Sequence, residues 1–229
     1  METAEFPALS RRAALATLAV GAAALLAPAS PLGGEADAQT TLNPDQALKR
    51  MMDGNARFVS GRLTSFQQDL KLLKQKTAEK QEPFAAVLSC SDSRVPVEIV
   101  FDQTIGHVFV ARVAGNVATA ELIASLEYGV AVLGTRAIMV LGHGGCGAVS
   151  ATIAGKEVPG QISTLYRLIR PAVEQAGTDL TAAIKANARI QAGLLRDTSP
   201  VLGGAIRDGR LKVVAAFYDL STGAVSLLD

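Results

Sequence analysis

The sequence predicts an α/β fold: a mainly parallel central sheet with an antiparallel edge strand, flanked by helices and preceded by a helical arm. Three observations predict it. From Phe84 onward, short continuous apolar runs alternate with helix-length segments, the pattern of strands buried on both faces. The chain has 229 residues, 49% hydrophobic and 19% charged, enough for one globular domain with a sizeable core. After the last long apolar run, Ser221-Thr222-Gly223 turns the chain into a short edge strand, Ala224 to Leu228.

Residues 1–38 read as a processing segment rather than as fold. Ser10-Arg11-Arg12 precedes an apolar run from Ala13 to Ala27, and Ala36-Asp37-Ala38 is a small-x-small cleavage site. Paired arginines before a weakly hydrophobic run resemble a twin-arginine signal, which delivers an already folded protein across the membrane. The run is too short and Ala-rich for a good bilayer span, so no stable span remains after cleavage. The expectation is a periplasmic or otherwise exported protein whose residues 39–229 form one domain, with an arm at about 44–82 and a core at about 84–229.

Within the arm, Asn43-Pro44-Asp45 caps a helix from Gln46 to Val59, and an amphipathic stretch from Phe66 to Glu82 ends before Pro83. In the core, Phe84–Ser89, Val108–Arg112 and Ala137–Leu141 are the first three strands, with a helix at Ala118–Leu133 between the last two. Thr181–Asp197 and Val201–Asp208 read as helices, and Leu211–Tyr218 as a further strand. With 22 basic and 21 acidic residues, the net charge of +1 offers no electrostatic case for nucleic acid or an anionic membrane. The partner it suggests is a small molecule.

The stretch Gly142-His143-Gly144-Gly145-Cys146-Gly147 has two readings. Its glycines fit G-x-G-x-x-G, the loop that approaches a dinucleotide pyrophosphate, but no second strand ending in an acidic residue follows, and the loop sits at the third strand. His143 and Cys146 instead fit half of a metal site. Cys90-Ser91-Asp92-Ser93-Arg94 closes the first strand, and parallel strands bring their C-terminal ends to one edge of the sheet. If the first and third strands are neighbours, Cys90, His143 and Cys146 converge as two thiolates and one imidazole, a set that suits Zn²⁺ and leaves a fourth position for water or substrate. Cys146 would also start a helix running to about Ala154, whose dipole favours thiolate. A Cys90–Cys146 disulfide is the alternative for the two cysteines of an exported protein, and it leaves His143, Asp92 and Arg94 without a role.

With these residues together, the sequence resembles the β-class carbonic anhydrases. The matching pieces are Cys90-Ser91-Asp92-Ser93-Arg94-Val95, Val108 to Asn116, Ser125-Leu126-Glu127-Tyr128, and Gly142 to Ala148, within a similarity running from about Pro44 to the C-terminus. The resemblance implies reversible hydration of CO₂ to bicarbonate and a proton by zinc-bound hydroxide. It also implies one Zn²⁺ per subunit on Cys90, His143 and Cys146, and Asp92 with Arg94 as a catalytic dyad. Asp92 would be a fourth zinc ligand only in a closed state. Gln103 corresponds to a substrate-touching glutamine of some members, and the implied assembly is a homodimer or homotetramer. His107 stands where the family usually has an acidic residue, and the chain lacks the tryptophan used by one regulatory bicarbonate site of the family. The same zinc fold can serve CS₂ or COS hydrolysis, and a non-enzymatic exported protein with a structural zinc is the rival from another class.

Overall fold

The computed structural model describes residues 40–65 and 70–228, so the expected export segment at 1–38 lies outside the described residues. Helix α1 (Pro44–Val59) begins where the sequence allows it to: the Asn43 side chain accepts from the Gln46 backbone N–H while the Gln46 side chain reaches back to Asn43. This reciprocal box satisfies two N–H groups that a helix start leaves without partners, and Pro44 has no N–H to satisfy. One face of α1 buries Ala47 and Met51. Gly54 brings this face so close to the following loop that a Cβ there would lie 1.8 Å from the Phe101 carbonyl oxygen.

The second arm helix is α2 (Leu70–Thr77), which stops before the expected Glu82. Ala78, Glu79 and Lys80 are all exposed, so nothing on this stretch buries a face, and Pro83 disfavours helix at the residue before it.

The sheet contains β1 (Ala85–Ser89), β2 (Val108–Arg112), β3 (Ala137–His143), β4 (Lys212–Tyr218) and β5 (Val225–Leu227), in the order β2-β1-β3-β4-β5. The first four are mutually parallel and β5 is the antiparallel edge, as the sequence predicts. Helices α3 (Val97–Val100), α4 (Ala120–Ala131), α5 (Gly147–Ala154), α6 (Ser163–Ala176), α7 (Leu180–Thr198) and α8 (Pro200–Arg207) complete the described elements. Alternate strand residues serve opposite layers. Ala86, Leu88, Ile138 and Val140 pack with Leu126, Leu195 and Leu202 from α4, α7 and α8. Ala85, Val87, Met139 and Leu141 pack with Met51, Val97 and Val100 from α1 and α3. Burial on both faces is why these strands read as unbroken apolar runs.

Two side chains fasten the arm to this body. Asn55, 4% exposed, donates to the carbonyls of Val100 and Gly223 and accepts from the Val225 N–H. Asp102, whose side chain is fully buried, accepts from Arg57 Nε at 2.5 Å, from the Thr64 N–H and hydroxyl, and from the Ser65 N–H. Burial pushes its pKa up, but the Ser65 and Thr64 donors and Arg57 outweigh this and hold the carboxyl below its usual range. Asp102→Ala should cost about 3 kcal/mol in urea unfolding near neutral pH, since several charge-assisted hydrogen bonds end on one buried group. With a depressed folded pKa, that contribution is present above about pH 4 and is lost as pH falls below it.

His107 opens β2 at the far end of the sheet. Its Nδ1 lies 3.0 Å from Arg50 Nη2, its ring meets Phe84 edge-on, and Arg50 covers the Phe84 ring. Burial, then the Arg50 charge, lowers its pKa, with Glu82 pulling weakly the other way. The unfolded chain takes up this proton near pH 6.5 while the folded chain resists, so the unfolded state binds more protons just below that pH and stability falls there. His107→Gln should flatten the loss of stability between about pH 7 and about pH 5.5, measured as the difference in urea midpoint from wild type.

Candidate metal centre

The site is assembled where strand order reverses. From β1 the chain passes to β2 on one side and then crosses to β3 on the other, which makes the C-terminal ends of β1 and β3 a switch point, the usual place for a site in an open α/β sheet. Ser89 and Leu141 are register partners, so the neighbour relation that the metal reading required is present. Strand β3 runs two residues beyond the expected Leu141, and His143 is its last residue, paired with Tyr218. Gly145, at φ 64°, turns the chain back, and Cys146 takes the position before α5.

The ligand atoms of Cys90, His143 and Cys146 all lie within 4.8 Å of one another, and all three residues are buried. His143 Nδ1 lies 3.0 Å from the Gly144 carbonyl, which can only accept, so Nδ1 carries the proton. The lone pair of Nε2 then faces inward, fully buried and without a hydrogen-bond partner. A neutral imidazole with its outer nitrogen held by a carbonyl is the form in which histidine binds metal. The sulfurs are not bonded to each other, which sets aside the disulfide reading of the two cysteines. The Cys146 thiol hydrogen-bonds the Cys90 sulfur, which draws the Cys90 pKa far down, helped by His143 and the Gly115 N–H against the effect of burial. The bond to the Cys90 sulfur, followed by burial, pushes Cys146 up. Two sulfurs around an unpartnered nitrogen match the soft donor set of zinc, whose tetrahedral bonds place such atoms about 3.5–3.8 Å apart.

Asp92 and Arg94 form a fork: Nε donates to Oδ1 at 2.9 Å, Nη2 to Oδ2 at 2.7 Å, and the Arg94 backbone N–H also reaches Oδ1. These bonds to Arg94 hold the Asp92 carboxyl well below the ordinary range. Asp92 Oδ2 is 3.9 Å from His143 Nε2, and Arg94 Nη2 also donates to the Gly145 carbonyl, so the dyad borders both ligand loops.

Four contacts were not visible in the sequence. The Gly115 N–H donates to Cys90 Sγ at 3.3 Å. Arg112 Nε donates to the Cys90 carbonyl and its Nη2 to the Asp92 carbonyl, at 2.9 and 2.7 Å, which fixes the backbone that carries both residues. Gln103 is buried with its amide donating to the Phe101 carbonyl at 2.7 Å, beside Gly54 of α1.

Residues 85–225 match the family model described as carbonic anhydrase. The chain belongs to the carbonic anhydrase family. It is 37% identical over 195 residues to a carbonic anhydrase of Mycolicibacterium smegmatis, covering 81% of this chain and 93% of that protein. The Coccomyxa β-carbonic anhydrase, solved in complex with acetazolamide, superposes with a TM-score of 0.61 at 26% identity, over 69% of this chain and 78% of that one. A tetrameric β-carbonic anhydrase of Sordaria macrospora, at 22% identity, shares the fold with a TM-score of 0.64 over 69% of this chain and 90% of that one. In this fold the Gly142–Gly147 glycines turn the chain between His143 and Cys146.

Proposed function

We propose that this protein catalyses the reversible hydration of CO₂ to bicarbonate and a proton at a zinc ion held by Cys90, His143 and Cys146. The observation that carries the reading is the buried, unpartnered Nε2 of His143 facing two free thiols, with a carboxylate locked on arginine beside them. Zinc bound there would lower the pKa of a water and so supply hydroxide near neutral pH. The chain's own residues do the positioning. Asp92, kept ionised by Arg94, can accept a hydrogen bond from the attacking oxygen and turn its lone pair toward CO₂. Arg94 carries positive charge to a site whose two thiolates would otherwise make it more negative than a three-histidine centre. A closed form with Asp92 as a fourth ligand would have to break all three of its bonds to Arg94, so the arrangement favours the open form.

Assembly as a homodimer or homotetramer belongs to the same proposal. Tyr128 of α4 and Val132 just past its end are about half exposed and line a mixed polar and apolar recess with Thr77 to Gln81 that a second copy could cover. Export by the twin-arginine route is also proposed, because folding and loading metal first would spare two thiols from an oxidising compartment. Sequencing the N-terminus of the periplasmic form would test it.

The deciding experiment is stopped-flow CO₂ hydration with a pH indicator, on residues 39–229 produced with zinc. Hydration that rises with pH is expected. A zinc-replete protein that hydrates no CO₂ at any pH would sink the proposal, and turnover of COS or CS₂ instead would transfer it to those substrates.

A further inference from the structure

The Cys90 sulfur is the end of a buried chain of hydrogen bonds that starts on a helix with no ligand of its own. On α7, Asn187 and Gln191 stand one turn apart, 1% and 3% exposed. Gln191 accepts the Ala118 N–H at 2.9 Å and donates to the Leu168 carbonyl and to Asn187 Oδ1 at 3.2 and 3.3 Å. Asn187 in turn donates to the Gly115 carbonyl at 2.8 Å. The N–H of that same Gly115 points at Cys90 Sγ.

Burying two amides in a helical layer is unfavourable unless every polar atom is met, and here the chain of partners ends on sulfur. Gly115 is the middle residue of the 3₁₀ turn Ala114–Asn116 before α4 and Ala118 lies two residues past its end, so the two amides hold that turn at its centre and just beyond it. Gly115 has no freedom to compensate. At φ 78° it is wedged so that a Cβ would lie 2.7 Å from Ile169 Cδ1 and 3.3 Å from Ala148 Cβ.

We propose that Asn187 and Gln191 are positioning residues for the metal centre, holding Gly115 by its carbonyl so that the N–H on the other side of the same residue remains on the Cys90 sulfur. An N–H on a thiolate draws electron density from it and fixes the direction of its lone pairs, so the amides set both the donor strength and the orientation of one ligand. The inference rests on the zinc reading above, and its test separates the two.

Wild type, Asn187→Ala and Leu195→Ala would be loaded with cobalt(II), and two quantities read: the thiolate-to-cobalt charge-transfer absorption and the rate of metal release to a chelator. Leu195 lies on the same helix, fully buried in the core cluster that contains Leu88 and Val140 and that excludes Cys90, and reports the effect of lost stability alone. Asn187→Ala should move the band to lower energy and release metal about tenfold to a hundredfold faster, while Leu195→Ala leaves both at wild-type values. If Asn187→Ala fails to fold, Gln191→Met, which keeps the side chain's length and removes its hydrogen bonds, is read in the same way. Wild-type band and release rate in the folded amide variant, or equal changes in Leu195→Ala, would overturn the inference and leave the zinc reading standing. A wild type that binds no metal would overturn both.

Discussion

Cys90→Ser should leave the protein folded but without stoichiometric zinc. A serine hydroxyl does not ionise near neutral pH and is a poor donor to zinc, so one of three ligands is lost outright. The substitution also replaces the sulfur that accepts the Gly115 N–H and partners the Cys146 thiol with a smaller hydroxyl on a shorter bond, so both contacts are weakened and the remaining pair loses a donor. The backbone stays in place, because Arg112 grips the Cys90 and Asp92 carbonyls and both survive the change. Metal analysis after dialysis should give about one zinc per wild-type chain and close to none for the variant, with near-native circular dichroism. His143→Ala should behave alike, since it deletes the inward-facing Nε2. A Cys90→Ser protein that retains a full complement of zinc would remove Cys90 from the ligand set.

Asp92→Asn should keep the zinc and lose most of the turnover. The amide matches the carboxylate in shape but carries one acceptor instead of two, and Arg94 donates to both oxygens. Whichever way the amide turns, one Arg94 nitrogen faces another N–H, and the fork opens. The site then lacks its ionised acceptor, and Arg94 keeps one neutral bond to the amide oxygen besides its bond to the Gly145 carbonyl. A drop in kcat of about 10²-fold or more is expected, the scale on which a positioned proton acceptor acts. Stopped-flow hydration and metal content measured on one preparation check both halves of the statement; full activity would refute the role of the dyad.

The parts of the site legible in the sequence are those carried by residue type. Two cysteines, one of only two histidines, and an Asp-x-Arg pair stood at the ends of apolar runs, and each occupies the place expected of it. Their convergence was conditional, because no local signal says that β1 lies between β2 and β3 rather than beside β2 alone. Helix α6 escaped because Pro159 and Gly160 precede it and Pro171 interrupts it. Its stripe of Tyr166, Ile169 and Ala172 nonetheless buries well enough to carry one missing backbone bond. The Gly115 N–H was invisible for a different reason: a backbone donor has no residue letter. Asn187 and Gln191 lie in a segment that reads from the sequence only as a helix, and the packing shows that they face inward. Arg112 lay in a recognised segment without a role until its two carbonyl contacts were seen.

Asn55 ties the first described helix to the last strand, through Gly223 and Val225. A ribosome makes these partners far apart along the chain, so until residues 223–225 are made the buried amide of Asn55 lacks two of its three contacts. The central strands and both ligand loops can emerge and pair earlier, but α1 gains its complete seat only when residues near 225 are free. Emergence of residues 223–225, rather than emergence of the cysteines and histidine, therefore sets the moment at which the arm locks onto the body.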